Sequence, residues 1–268
     1  MLNKTPVRRW FQFDAPILTL LHPREHTPFI VATFLGGIVL ASLSMRWLGW
    51  PFWSAVILVL VLLLIPGAVK WRADWRRYGA TVMGVSFLLI TQGFHTIEHI
   101  AQWVQYHILG WGPRASVGLI SPANAEWVHF VWNWTVVLMV GLLVWRGMRN
   151  VWSWILLIWS VAHALEHTYM FVRYVLILGE LSQMGITDIA AQGLPGILGR
   201  DGWLARNAAI CGPFISRLPG LTTAIRLDVH FWWNVGETSL LLLAAHVFLQ
   251  SALKTPRPTS LSLSGAKS

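Results

Sequence analysis

The chain has 268 residues, of which 55% are hydrophobic and 12% charged, and its mean hydropathy is +0.56. Such a composition excludes an ordinary water-soluble domain. A formal charge of +9 fits an orientation signal and contact with anionic lipid headgroups, and gives no reason to expect a nucleic-acid partner. The single cysteine, Cys211, excludes an internal disulfide and a multi-cysteine metal cage.

Residues 1–27 alternate polar and aromatic or aliphatic positions (Trp10, Phe11, Phe13, Ile17, Leu18, Leu20, Leu21). This suits a short helix in the interface of a cytoplasmic N-terminal arm. The arm lacks a long apolar core and a small-residue cleavage site, so no cleavable signal peptide is expected. Continuous apolar runs then predict six transmembrane helices, at about 28–47, 52–69, 79–106, 125–145, 151–177 and 229–250, each near the roughly 20 residues a bilayer core requires. The runs do not alternate, which argues against a β-barrel. The fold class is therefore all-α, an integral membrane bundle over 28–252. A tail at 253–268 reads as disordered and cytoplasmic.

Orientation follows from the loop cations. Lys4, Arg8, Arg9 and Arg24 lie in the arm, Lys70, Arg72, Arg76 and Arg77 between the second and third crossings, and Arg146 and Arg149 between the fourth and fifth. Lys254, Arg257 and Lys267 follow the last crossing, whereas the opposite side offers Arg46 and Arg114 in its short loops. Both termini are therefore expected in the cytoplasm. Between the fifth and sixth crossings, residues 178–227 form a long outer segment rich in glycine and proline. Its apolar residues (Leu194, Ile197, Leu198, Trp203, Leu204, Phe214, Ile215) favour a packed cap.

The first two crossings carry almost no interior polar residues and read as scaffold. The last four carry a duplicated signature. His95, Glu98 and His99 (HTIEH) precede His129 and Asn133 (VHFVWN); His163, Glu166 and His167 (HALEH) precede His230 and Asn234 (VHFWWN). The 68-residue shift from His95 to His163 also aligns Leu88, Leu89, Ile90, Val104 and Tyr106 with Leu156, Leu157, Ile158, Val172 and Tyr174. A tandem repeat of a helix pair, crossings three and four with five and six, explains both sets.

Depth gathers these residues. At 1.5 Å per residue, His95 to His99 lie about 24–30 Å along an outward-running helix and His163 to His167 about 18–24 Å along another, while His129 and His230 fall in the first two turns of inward-running helices. Positions i, i+3 and i+4 share a helix face, and the stripe on the third crossing extends to Gln92 and Gln102. Glu126, His129 and Asn133 share a face of the fourth crossing, and His230, Asn234 and Glu237 one of the sixth. Polar groups at membrane depth are costly against lipid and should turn inward.

Metal binding is the economical explanation, because imidazole and carboxylate ligate iron, copper and zinc, and a cation compensates buried carboxylates. The expected ligands are His95, His99, His129, His163, His167 and His230, with Glu126 and Asp228 as further candidates. Glu98 and Glu166 are expected to act as ligands or proton carriers. Asn133, Asn234, Gln92 and Gln102 would orient the ligands by hydrogen bonds. Glu126 and His129 have the Glu-x-x-His spacing of four-helix di-iron proteins, but Asp228 stands before His230 without that spacing. The alternative is a purely structural hydrogen-bond cluster. HPREH at His22 to His26 repeats the spacing, but its Pro23 and cytoplasmic place mark it as coincidence, and His107 and His246 fall outside the site by position.

Four functions follow. A dinuclear iron or copper centre would make a membrane oxidoreductase or oxygenase acting on a hydrophobic, membrane-borne substrate or a quinol. A zinc hydrolase would use Glu98 or Glu166 as general base. Haem ligation would make an electron-transfer subunit, which adjacent glutamates suit poorly. Metal transport would need a polar path on both sides of the site, and the inner halves of these helices are apolar. The Trp-rich surface could meet lipid or partner subunits of a larger membrane complex.

Overall fold

The computed structural model describes residues 15–187, 193–207 and 220–253, with positions 210, 212, 214 and 218 between the last two. Cys211, the first fourteen residues of the arm, Phe13 among them, and the tail from Lys254 lie outside the described residues. Among the described residues all regular structure is helical: α1 (Pro16–Leu21), α2 (Thr27–Leu48), α3 (Phe52–Tyr78), α4 (Ala80–His107), α5 (Glu126–Trp145), α6 (Val151–Gln183), α7 (Trp203–Arg206) and α8 (Arg226–Ala252). Six of these, α2 to α6 and α8, are long and apolar enough to cross a membrane. Large apolar side chains such as Leu35, Leu64, Leu138 and Ile158 are more than half exposed on them. Six such helices with that surface make this a multi-pass membrane protein.

Helices α4, α5, α6 and α8 close a four-membered ring, in which α5 packs on α6, α6 on α8 and α8 on α4, while α4 meets α5 more lightly. The pair α2 and α3 lies outside the ring and joins it where α3 contacts α4. Small residues allow α2 and α3 to approach closely. Gly37 and Ala41 are the buried residues of α2, and a side chain at Gly37 would stand 3.5 Å from Leu62. One end of the ring is filled by a dry core that includes Val85, Leu88, Val136, Val140, Leu156 and Leu241. Leu20 of α1 is fully buried in the same cluster, so this short helix closes that end of the bundle.

Three helix ends depart from the sequence expectation. The third helix runs to Tyr78 instead of stopping near 69, because its cationic last turns are good helix formers and no glycine interrupts them before Gly79. Gly79, at φ +96°, ends α3 and begins α4, a sharp reversal that an L side chain resists. Lys70 is consequently not a loop charge. It is buried, ion-paired with Asp74 one turn on, and donates to Ser86 Oγ of α4 at 3.0 Å. Helix α6 continues past 177 to Gln183, and α8 begins at Arg226, so the connection between them is shorter than the expected 178–227. Asn150 fixes the start of α6: its side chain accepts from Ser153 N at 3.0 Å and donates to Ala244 O of α8 at 3.1 Å.

Candidate metal centre

Opposite the dry core, six imidazoles from four helices form one contiguous cluster. Helix α4 brings His95 and His99, α5 His129, α6 His163 and His167, and α8 His230. Ring centroids are 4.8 Å apart for His95–His99, 5.5 Å for His95–His129 and His99–His129, 5.0 Å for His163–His167 and 4.9 Å for His167–His230. Three cross-contacts join the groups, His129–His167 at 5.0 Å, His99–His230 at 5.9 Å and His129–His230 at 6.0 Å. The six rings converge because His residues at i and i+4 stand only about 40° apart around a helix and face the ring interior together.

His95, His99 and His129 each offer a ring nitrogen within 4.8 Å of the other two, a spacing that one ion could bridge. Five of the six rings carry buried nitrogens with no hydrogen-bond partner: Nε2 of His95, His99, His163 and His230, and both nitrogens of His167. An unpartnered buried polar atom costs about 1–3 kcal/mol, so a set of this size asks for a ligand. Two rings have their tautomer fixed by the other nitrogen. Gln102 donates through Nε2 to Asn124 Oδ1, which leaves its Oε1 as acceptor for His99 Nδ1 at 3.1 Å. His163 Nδ1 lies 3.2 Å from Glu237 Oε2. In both rings the Nε2 lone pair is then free and points into the cluster, the arrangement that carboxylates and amides impose on metal-bound imidazoles.

Glu237 is the residue that sequence reasoning underrated, placing it on the polar stripe but not among the site residues. It is 1% exposed. Its oxygens accept from Ser160 Oγ, from Gln92 Nε2 at 3.0 Å and from His163, and Gln92 Oε1 accepts in turn from Trp132 Nε1 at 3.0 Å. Both helical stripes thus end on one buried carboxylate. Glu237→Gln is expected to weaken metal retention about 10–100-fold, the usual effect of losing a ligand's orienting partner, read by competition with a chelator. Retention equal to that of the unmodified protein would remove Glu237 from the site.

The other expected site residues point elsewhere. Glu98 accepts from Leu119 N at 3.0 and 2.9 Å and from Ile120 N at 3.0 Å. Glu166 accepts from Ile197 N at 3.0 Å and from Leu198 N at 3.3 Å. Both carboxylates therefore anchor loops through backbone amides. The reason is helical: a neighbour in sequence stands about 100° around the helix, so Glu98 and His99 address different surroundings. The loop meets each carboxylate at a glycine, since a Cβ on Gly118 or Gly196 would collide with Glu98 Oε1 or Glu166 Oε1.

Asp228 pairs with His107, Oδ1 to Nε2 at 2.7 Å, at a partly exposed position outside the cluster. Glu126 is buried and bound to Arg226 at 2.7 Å, and Arg226 also donates to Leu194 O at 2.8 Å, tying the α6–α8 connection to α5. One Glu126 oxygen, Oε2, has no partner. Asn133 and Asn234 donate to the backbone carbonyls of His129 and His230 at 2.8 and 2.9 Å, and Asn234 Oδ1 accepts from Gln92 Nε2 at 3.4 Å. In HPREH, His22 Nδ1 accepts from Arg24 N at 2.9 Å, and His246 lies 3.1 Å from Gln250 on α8.

No known protein family, curated protein or solved structure matches this chain.

Proposed function

We propose that the protein is a membrane metalloprotein whose six imidazoles hold a dinuclear transition-metal centre, and that it works as an oxidoreductase on a hydrophobic or membrane-borne substrate. The observation that carries this is the contiguous cluster of six imidazoles from four helices, five of which have buried, unpartnered ring nitrogens. Each half of a tandem repeat would supply three: His95, His99 and His129, then His163, His167 and His230. Matched contacts support that repeat. His95 lies 5.7 Å from Trp132 and His163 5.3 Å from Trp233, and each H-x-x-E-H glutamate binds two backbone amides after a glycine. An iron or copper pair, when bound, supplies one-electron chemistry and oxygen activation.

The chain's own residues do the rest. Gln102 and Glu237, the latter held by Gln92, keep His99 and His163 in the ligating tautomer, and the loops anchored by Glu98, Glu166 and Arg226 cover the cluster and exclude water. His95 is the one ring of the six with appreciable surface, and it lies where α4 meets α5 lightly, which suits approach of an apolar substrate from the bilayer. The loop cations favour placing the site near the exoplasmic face, with both termini cytoplasmic.

A zinc hydrolase is less well supported, because Glu98 and Glu166, its candidate bases, are engaged by backbone amides. Transport is disfavoured by the dry core that closes the other end of the ring. Haem is disfavoured by rings that already contact one another on several sides, leaving no slot for a macrocycle. Metal analysis of purified protein with an optical spectrum, before and after a quinol or dithionite, tests the proposal. It expects iron or copper at about two per chain and a spectrum that changes on reduction; a colourless zinc protein or a Soret band would overturn it.

A further inference from the structure

A second site lies at the opposite end of the molecule and does not depend on the metal reading. The 3₁₀ turn Arg24–His26 sits against the last turns of α3, and between them is a cleft of about 590 Å³ lined by Arg24, Arg72, Arg76, Arg77 and His26, with Glu25 as its one acid. Glu25 is turned outward, its side chain 66% exposed and 3.8 Å from His26. Among the described residues no carboxylate lies within ion-pair distance of any of the four arginines, whereas Lys70 and Arg226 each have one. Arg24 has φ +52°, an uncommon backbone for a residue other than glycine, and its guanidinium donates to Tyr78 Oη at 2.6 Å. That contact carries a cation from the N-terminal segment to the end of α3.

Arg72 and Arg76 line a second cleft as well, of about 630 Å³, whose other walls are Trp71, Trp75, Ala68 and Met83. A basic cleft and an aromatic one thus share two arginines at the end of a membrane-crossing helix, where tryptophan and arginine both sit at the lipid headgroup level. A single ligand with an anionic phosphate at one end and an acyl chain at the other satisfies both. We propose that this pair of clefts binds one anionic phospholipid, its phosphate held by Arg72 and Arg76 with Arg24 and Arg77, and its chain laid along Trp71, Trp75 and Met83. Multiple arginines suit a phosphate because each guanidinium presents a planar fork of donors.

Native mass spectrometry of the full chain, released from micelles doped with dioleoylphosphatidylglycerol or dioleoylphosphatidylcholine, tests this without any variant. The anionic lipid should be retained about tenfold more strongly as a one-to-one adduct. The double variant R72Q/R76Q should lose that preference, while R146Q/R149Q, which removes the same charge elsewhere, should keep it. Equal retention of the two lipids, or an undiminished preference in R72Q/R76Q, would overturn the proposal. Displacement of the phosphatidylglycerol adduct by millimolar glycerol phosphate would overturn it too, since the occupant would then be a soluble phosphate ester.

Discussion

His99→Ala and His167→Ala should each lower metal affinity at least about 100-fold, beyond the 10–100-fold typical of losing an orienting partner, and chelator competition during purification should leave the variants nearly metal-free. His167 is the sharper test. It is fully buried, both its nitrogens lack partners, and it contacts His129, His163 and His230, so it joins the two groups. His99 has its free nitrogen aimed by Gln102 and lies against His95, His129 and His230. Truncating either also exposes the remaining rings to an emptied volume in a low-dielectric interior, and thermal stability should fall with metal content. His107→Ala is the control: its ring binds Asp228 outside the cluster, and metal content should not change. Unchanged metal in both His99→Ala and His167→Ala would remove the cluster from the metal account.

Gly118→Ala and Gly196→Ala are expected to destabilise the protein by about 3 kcal/mol each, seen as a drop in melting temperature of about 5–10 °C. At Gly118 two costs combine. The backbone has φ +76°, and the added Cβ would push Glu98 off the amides of Leu119 and Ile120 while standing 3.1 Å from Gln102, which positions His99. At Gly196 the Cβ would displace Glu166 from the amides of Ile197 and Leu198 and stand 3.3 Å from Met170. A displaced carboxylate would be left half-buried without donors. Gly141→Ala, in α5 with nothing within 4 Å of its Cβ, should be neutral or slightly stabilising. A melting temperature for Gly118→Ala no lower than that of Gly141→Ala would show that the glutamates are not the anchors described.

The six crossings were legible because unbroken apolar length is a direct physical requirement of spanning lipid, and α2, α4 and α5 end within about two residues of the expected positions. The misplaced ends of α3 and α6 share a cause: hydropathy stops at the edge of the bilayer, whereas backbone hydrogen bonding runs on, through Gly179 in α6, to a glycine of positive φ, Gly79 after α3 and Gly185 after α6. The histidines were legible because i, i+4 spacing fixes a shared face whatever surrounds it. The glutamates were not, since spacing says nothing of what a loop delivers to the adjacent face. Gly118 follows Glu98 by 20 residues and Gly196 follows Glu166 by 30, so the shift of 68 that aligns the first helix of each pair misaligns the loops after it. The short strings Gly-Leu-Ile and Gly-Ile-Leu were the available signal. Glu237 was obscured differently: the position matching it in the first half is Val136, so a search for repeated polar residues passes over it.

X-ray absorption at the edge of the metal found in the purified protein reads its ligands directly. Nitrogen at about 2.0–2.1 Å should dominate the nearest scatterers, with the more distant scattering of several imidazoles per metal, lost in His167→Ala. A protein that purifies without metal, or a shell of oxygen or sulfur without imidazole scattering, would contradict the proposed centre.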